Sequence, residues 1–108
     1  MIELREYLQA DGRSPYAKWF HGLNAQAAAK IIAALVRIEH GNLSSTKSVG
    51  GGVIESKIDF GPGYRIYFGK ERERLVILLG GGTKKGQSKD IKKAKDLWQE
   101  YKRRKKEE

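Results

Sequence analysis

The chain predicts an α+β domain with an antiparallel sheet, in the order β-α-α-β-β-β-α, on three observations. Three short apolar runs, 53–59, 64–68 and 75–79, are rich in Val, Ile, Tyr and Phe. Phe60-Gly61-Pro62-Gly63 and the charged stretch Gly69 to Arg74 separate them, and both read as turns. Amphipathic stretches at helical spacing stand on either side of this block. A helix pair followed by a three-strand meander and a last helix is an α+β arrangement.

Each element has its own signal. Ile2, Leu4 and Leu8 among charged neighbours predict a first strand, ended by Asp11-Gly12. Ser14-Pro15 reads as a helix start, with Ser as N-cap and Pro at the first helical position. Tyr16, Trp19, Phe20 and Leu23 continue it, and Gly22 and Asn24 break it and cap the next. In the second helix Ala28, Ile31, Ile32, Leu35 and Ile38 form a stripe, with Gly41 placed to end it. Asn42 to Gly52 reads as a polar, glycine-rich connector. The apolar runs follow as three strands joined by hairpins. Alternation puts Glu55, Lys57, Arg65 and Tyr67 together on the sheet face turned away from the helix pair. The wholly apolar run 75–79 reads as a central strand, so something must cover part of that face. Ser88 to Tyr101 supplies it: Ser88 can cap, and Ile91, Ala94, Leu97, Trp98 and Tyr101 form a stripe.

With 108 residues the chain suits one domain, taken as 1–101 with a basic tail at 102–108. The net charge is +9, of which residues 84–108 carry +6, and this implies a polyanionic partner. There is no cysteine, which excludes disulfides and thiol chemistry. No run is apolar and long enough to span a bilayer, and no signal-peptide pattern opens the chain. A soluble cytoplasmic protein without membrane contact is the expectation.

Gly61-Pro62-Gly63-Tyr64-Arg65-Ile66-Tyr67-Phe68 and the run from Leu78 to Ala94, LLGGGTKKGQSKDIKKA, resemble the RelE/ParE superfamily of toxins from bacterial toxin–antitoxin pairs. The likeness is to the addiction-module killer proteins, related to phage-derived Gp49-like and HigB-like toxins. It covers nearly the whole domain, the N-terminal helices matching only in pattern. It implies a RelE-like fold, a cognate antitoxin (a helix-turn-helix protein), and mRNA as target, free or on the ribosome. It implies neither a cofactor nor a metal. RelE-like members cleave mRNA, whereas ParE-like members inhibit DNA gyrase. Arg65 falls on the family's strand arginine, Lys57 near its strand lysines, and Lys84 and Lys85 near its basic residue after the last strand. Where ribonuclease members often carry a Tyr or His, this chain has Gln87-Ser88-Lys89-Asp90.

Metal-independent RNA cleavage needs a base for the ribose 2′-OH, an acid for the leaving 5′-oxygen, and cations for the phosphorane. Arg65, whose planar fork can hold two phosphate oxygens, suits the last role. Lys57 is the candidate base and Glu55 the alternative, while Lys84 or Lys85 is the candidate acid or a second clamp. Lys85 and Lys89 are candidate RNA contacts, and Tyr67 a platform on which a base could stack. The bland alternative for Arg65 is a salt bridge to Glu55 or Asp59 that pins two strands. Gly80 to Gly82 lacks the spacing of a phosphate-binding P-loop. His21 and His40 sit near helix ends, where bonding to terminal carbonyls is ordinary.

Overall fold

A computed structural model describes residues 1–107. The element order is β1 (Glu3–Glu6), α1 (Pro15–His21), α2 (Ala25–Glu39), β2 (Thr46–Gly50), β3 (Val53–Ile58), β4 (Tyr64–Arg72) and β5 (Leu75–Thr83). A 3-10 turn, Lys84–Gly86, then leads into α3 (Gln87–Lys106). The α+β class is as expected, and so is the element order apart from one added strand.

The helix starts follow their caps. Ser14 Oγ accepts from the Ala17 N–H at 3.0 Å, and Asn24 Oδ1 from the Ala27 N–H at 2.9 Å. Gly41, at φ +81°, follows the last turn of α2 in the left-handed conformation that ends helices. At α3 the expected cap moves. Ser88 lies inside the first turn, because the 3-10 turn carries the chain into the helix two residues earlier, at Gly86.

The sheet has five strands in the order β1-β5-β4-β3-β2. Two features depart from the expected four antiparallel strands. First, Thr46–Gly50, read as a connector, is strand β2, with Thr46 opposite Ser56 and Lys47 opposite Glu55. Its sequence, TKSVG, has no apolar alternation because an edge strand exposed to water has little to bury. Second, β1 runs parallel to β5, Glu3 opposite Leu75 through Glu6 opposite Leu78, so the sheet is mixed.

Two apolar layers flank the sheet. On one face Ile31 and Ile38 of α2 and Tyr16 of α1 pack on Tyr64, Ile66, Phe68, Val76 and Leu78. The stripe of α2 is rotated from the expected one: Ala27, Ile31, Ala34 and Ile38 are buried, while Ile32 is exposed. On the other face Ala94, Leu97 and Trp98 of α3 pack on Val53, Tyr67, Ile77 and Leu79. Both tryptophans lie against glycines. Trp19 covers Gly81 on the α1 face, and Trp98 covers Gly69 on the α3 face. A Cβ on Gly52 would also come within 2.6 Å of the Trp98 indole nitrogen.

α3 continues unbroken to Lys106, so residues 102–106, expected as a tail, are helical; Glu108 lies outside the described residues. Arg104 donates to the Tyr7 hydroxyl at 3.1 Å and to the Leu8 carbonyl at 2.7 Å. Tyr7 in turn donates to Glu100 at 2.5 Å, and Lys105 and Tyr101 both meet Glu71. Among the described residues, no helix is long and apolar enough to cross a membrane.

Candidate functional site

The hairpin between β3 and β4 sets the site. Its register places Lys57 directly opposite Arg65, and Arg65 opposite Gly82 on β5. The pleat sends Glu55, Lys57, Arg65 and Tyr67 to the α3 face, as the alternation predicts. What the alternation does not reveal is how fully α3 and the turn before it cover that face. Glu55, Arg65 and Tyr67 are buried, at 1, 4 and 1% exposure, and only Lys57 stands in solvent.

Arg65 is therefore enclosed by the fold. Its Nη1 donates to the Gly63 carbonyl at 2.7 Å. Its Nε lies 4.0 Å from Glu55 Oε2, too far for a hydrogen bond, and has no hydrogen-bond partner. The same Glu55 oxygen accepts from Gln87 Nε2 at 2.8 Å. Gln87, the first residue of α3, thus closes the pair from above. The Arg65–Glu55 alternative raised from the sequence is present, and Asp59 pairs instead with Lys57 at 3.6 Å.

Tyr67 corrects the expectation most clearly. Its ring lies beneath α3 and offers no face on which a base could stack. Its hydroxyl is buried without a hydrogen-bond partner. Burial first, then the nearby carboxylates of Glu55 and Asp90, push the phenol well above its ordinary pKa. Asp90 lies over Gly82, where only a glycine leaves room for its carboxylate. Its own pKa is raised by burial, against the opposing pull of Lys93 and Lys89.

The exposed cations sit around this buried group. Lys84 N donates to the Gly63 carbonyl at 2.9 Å, so that one oxygen ties Lys84 and Arg65 to the same turn. Lys84 and Lys85 are exposed in the 3-10 turn, and Lys89 is exposed in the first turn of α3. Beside Lys57, a hollow of about 270 Å³ is lined by Ser44, Ser45, Thr46, Lys47, Glu55 and Asp59. The segment read as a connector thus forms one wall of the site. The roles of Gln87 on Glu55 and of Asp90 over Gly82 were not legible in the sequence. Two signals pointed to the residues themselves: their segment stands where ribonuclease members often carry a Tyr or His, and the run Gly80-Gly81-Gly82 marks a close approach to the backbone.

The class is that of the RelE/HigB-like toxins, and it rests on the family match over most of this small basic α+β domain. Residues 18–102 match the family of phage-derived Gp49-like proteins, and the chain belongs to that family. An uncharacterized protein of Haemophilus influenzae is 48% identical over 86 residues, covering 79% of this chain and 87% of that protein. Membership makes the chain a toxin of the toxin–antitoxin type, and a partner antitoxin follows from it.

Proposed function

We propose that the protein is a metal-independent endoribonuclease that cleaves mRNA and so inhibits translation. The observation that carries this reading is the buried, incompletely bonded Arg65 behind the lysines Lys57 and Lys84. A buried charge with an unsatisfied N–H is a poor stabilising device, since its desolvation offsets the attraction to Glu55. Such groups collect where function needs them.

The roles differ from those expected of an exposed arginine. Lys57, Lys84 and Lys85 are accessible and meet the phosphodiester, while Lys89 tracks the strand from α3. The Asp59 carboxylate, 3.6 Å from Lys57, takes the 2′-OH proton, Lys57 clamps the phosphate, and Lys84 protonates the leaving 5′-oxygen. Arg65 holds the turn carbonyl of Gly63 and adds positive potential through a low-dielectric layer. Glu55, bound to Gln87 and facing Arg65, orients the arginine. The antitoxin is a helix-turn-helix protein whose acidic segment covers the lysines, a pairing that a +9 chain favours.

Primer extension on a reporter mRNA incubated with the purified protein tests the proposal. Discrete cleavage that is lost in Lys57→Ala and Lys84→Ala variants is the expected result. One observation favours a second reading: Arg65 and Glu55 largely neutralise each other beneath α3. A ParE-like inhibitor of DNA gyrase would need no exposed catalytic arginine. Intact mRNA together with stalled gyrase would replace the first reading with the second.

A further inference from the structure

We propose that the cleft between the loop after β1, the free edge of β5 and α3 binds one nucleotide unit. The base would sit along the strand edge at Gly80, beside the Trp19 indole, with its edge turned to the Tyr67 hydroxyl, and the phosphate on Lys18 and Lys93. The inference rests on the RNA reading above and adds to it a site distinct from the Arg65–Lys57 hairpin.

The cleft exists because two paired strands end at different places. The last bond at the β1 edge runs from the Tyr7 N–H to the Leu78 carbonyl at 2.9 Å, but β5 continues to Thr83. From Leu79 onward no described strand pairs with that edge of β5. The chain instead swings out through Gln9, Asp11 and Arg13 to the start of α1, leaving a cleft of about 760 Å³. That volume is in the range of small-ligand sites.

Its lining suits a flat polar ring with an attached anion. Leu79, Ala94 and Leu97 give apolar walls, Gly80 presents backbone with open space where a Cβ would stand, and the Trp19 indole lies over Gly81. A row of unpaired strand-edge groups can bond a heterocycle's edge as it would a neighbouring strand. Tyr67 supplies the second, independent observation. It lines the cleft, is 1% exposed, and its hydroxyl has no hydrogen-bond partner. Burial and the carboxylates around it keep that hydroxyl protonated, hence a donor. A ring nitrogen or carbonyl of a base would supply the missing acceptor. Arg13, Lys18 and Lys93 also line the cleft, with Asp11 paired to Arg13 at 3.8 Å. Asp90 joins the two places: it lines the cleft and rests on Gly82, whose ladder partner is Arg65. Neighbouring nucleotides of one strand could then occupy the cleft and the hairpin site together.

The test uses the full, isotope-labelled protein and two probes, an uncleavable 2′-O-methyl dinucleotide and a free nucleoside monophosphate. The Gly80, Gly81 and Asp90 amides and the Trp19 indole are expected to shift, and the dinucleotide to bind more tightly. Equal affinity for the two probes would keep the site and assign it to free nucleotides. Tyr67→Phe should weaken binding about three- to tenfold, the worth of one hydrogen bond, while the thermal midpoint holds or rises. Unshifted Gly80 and Gly81, or unchanged affinity with a lowered midpoint in Tyr67→Phe, overturns the proposal. So does occupation of this edge only by an acidic peptide that pairs as an added strand. If the probes bind the cleft but the protein cuts no RNA, the nuclease reading falls and the nucleotide site stands. If the protein cuts RNA and the cleft stays unoccupied, the cleft proposal alone falls.

Discussion

Asp90 rests its carboxylate on the backbone of Gly82, in space that a single methyl group would fill. The contact seats the first turn of α3 on the sheet, above the strand position that faces Arg65. Gly82→Ala should lift that turn and destabilise the fold by about 1–3 kcal/mol, the usual range for overpacking. In an Asp90→Ala background the same substitution should cost less. Urea denaturation of the four proteins in that cycle measures the coupling, and strictly additive losses would place the strain elsewhere.

Arg65→Ala should unfold the protein more readily. It leaves Glu55 buried and uncompensated, which typically costs about 3–5 kcal/mol. Replacing both residues, Arg65→Met with Glu55→Leu, should recover most of that stability while abolishing toxicity. Stability is read from chemical denaturation and toxicity from growth after induction. A singly substituted Arg65→Ala protein as stable as the parent would show that the pair is not closed in solution.

Lys57→Ala and Lys84→Ala should reduce RNA cleavage roughly 10²–10³-fold, as for loss of a transition-state contact. Their denaturation midpoints should stay near the parent's, because both side chains are exposed. Matched losses of activity and stability would mean that these lysines serve the fold.

Asp90 makes stability depend on pH. Burial raises its pKa in the folded state, so the protonated carboxyl is the form the fold favours. Its contribution is fully present below the unfolded carboxylate's pKa and is lost as pH rises through the higher folded value. Asp90→Asn should therefore gain stability over the parent towards neutral pH and lose that advantage in acid. Thermal melts across the carboxylate range test this, and a constant difference at every pH would assign the effect to packing.

The last turns of α3 should matter to stability. Ending the chain after Lys102 removes the bonds from Arg104 to Tyr7 and Leu8 and the Lys105 contact with Glu71. A lowered thermal midpoint is expected, and an unchanged one would make these residues a dispensable tail.

The sequence by itself determined whatever depends on near neighbours. Ser14 and Asn24 cap their helices, Gly41 ends α2, and alternation assigns Glu55, Lys57, Arg65 and Tyr67 to one face. Those signals are local: a side chain bonding an amide three residues on, a glycine adopting positive φ, a pleat of period two. His40, as expected near a helix end, bonds the Val36 carbonyl through Nδ1 at 2.8 Å. Tertiary structure alone decided the rest. Thr46–Gly50 becomes a strand only because β3 offers its edge, and β1 lies parallel to β5 across some seventy intervening residues. Whether Arg65 meets water or Glu55 depends on where Gln87 and Asp90 fall when α3 docks. No short-range pattern encodes that position, because it is set by how two distant apolar faces, Leu97–Trp98 and Val53–Tyr67, fit together.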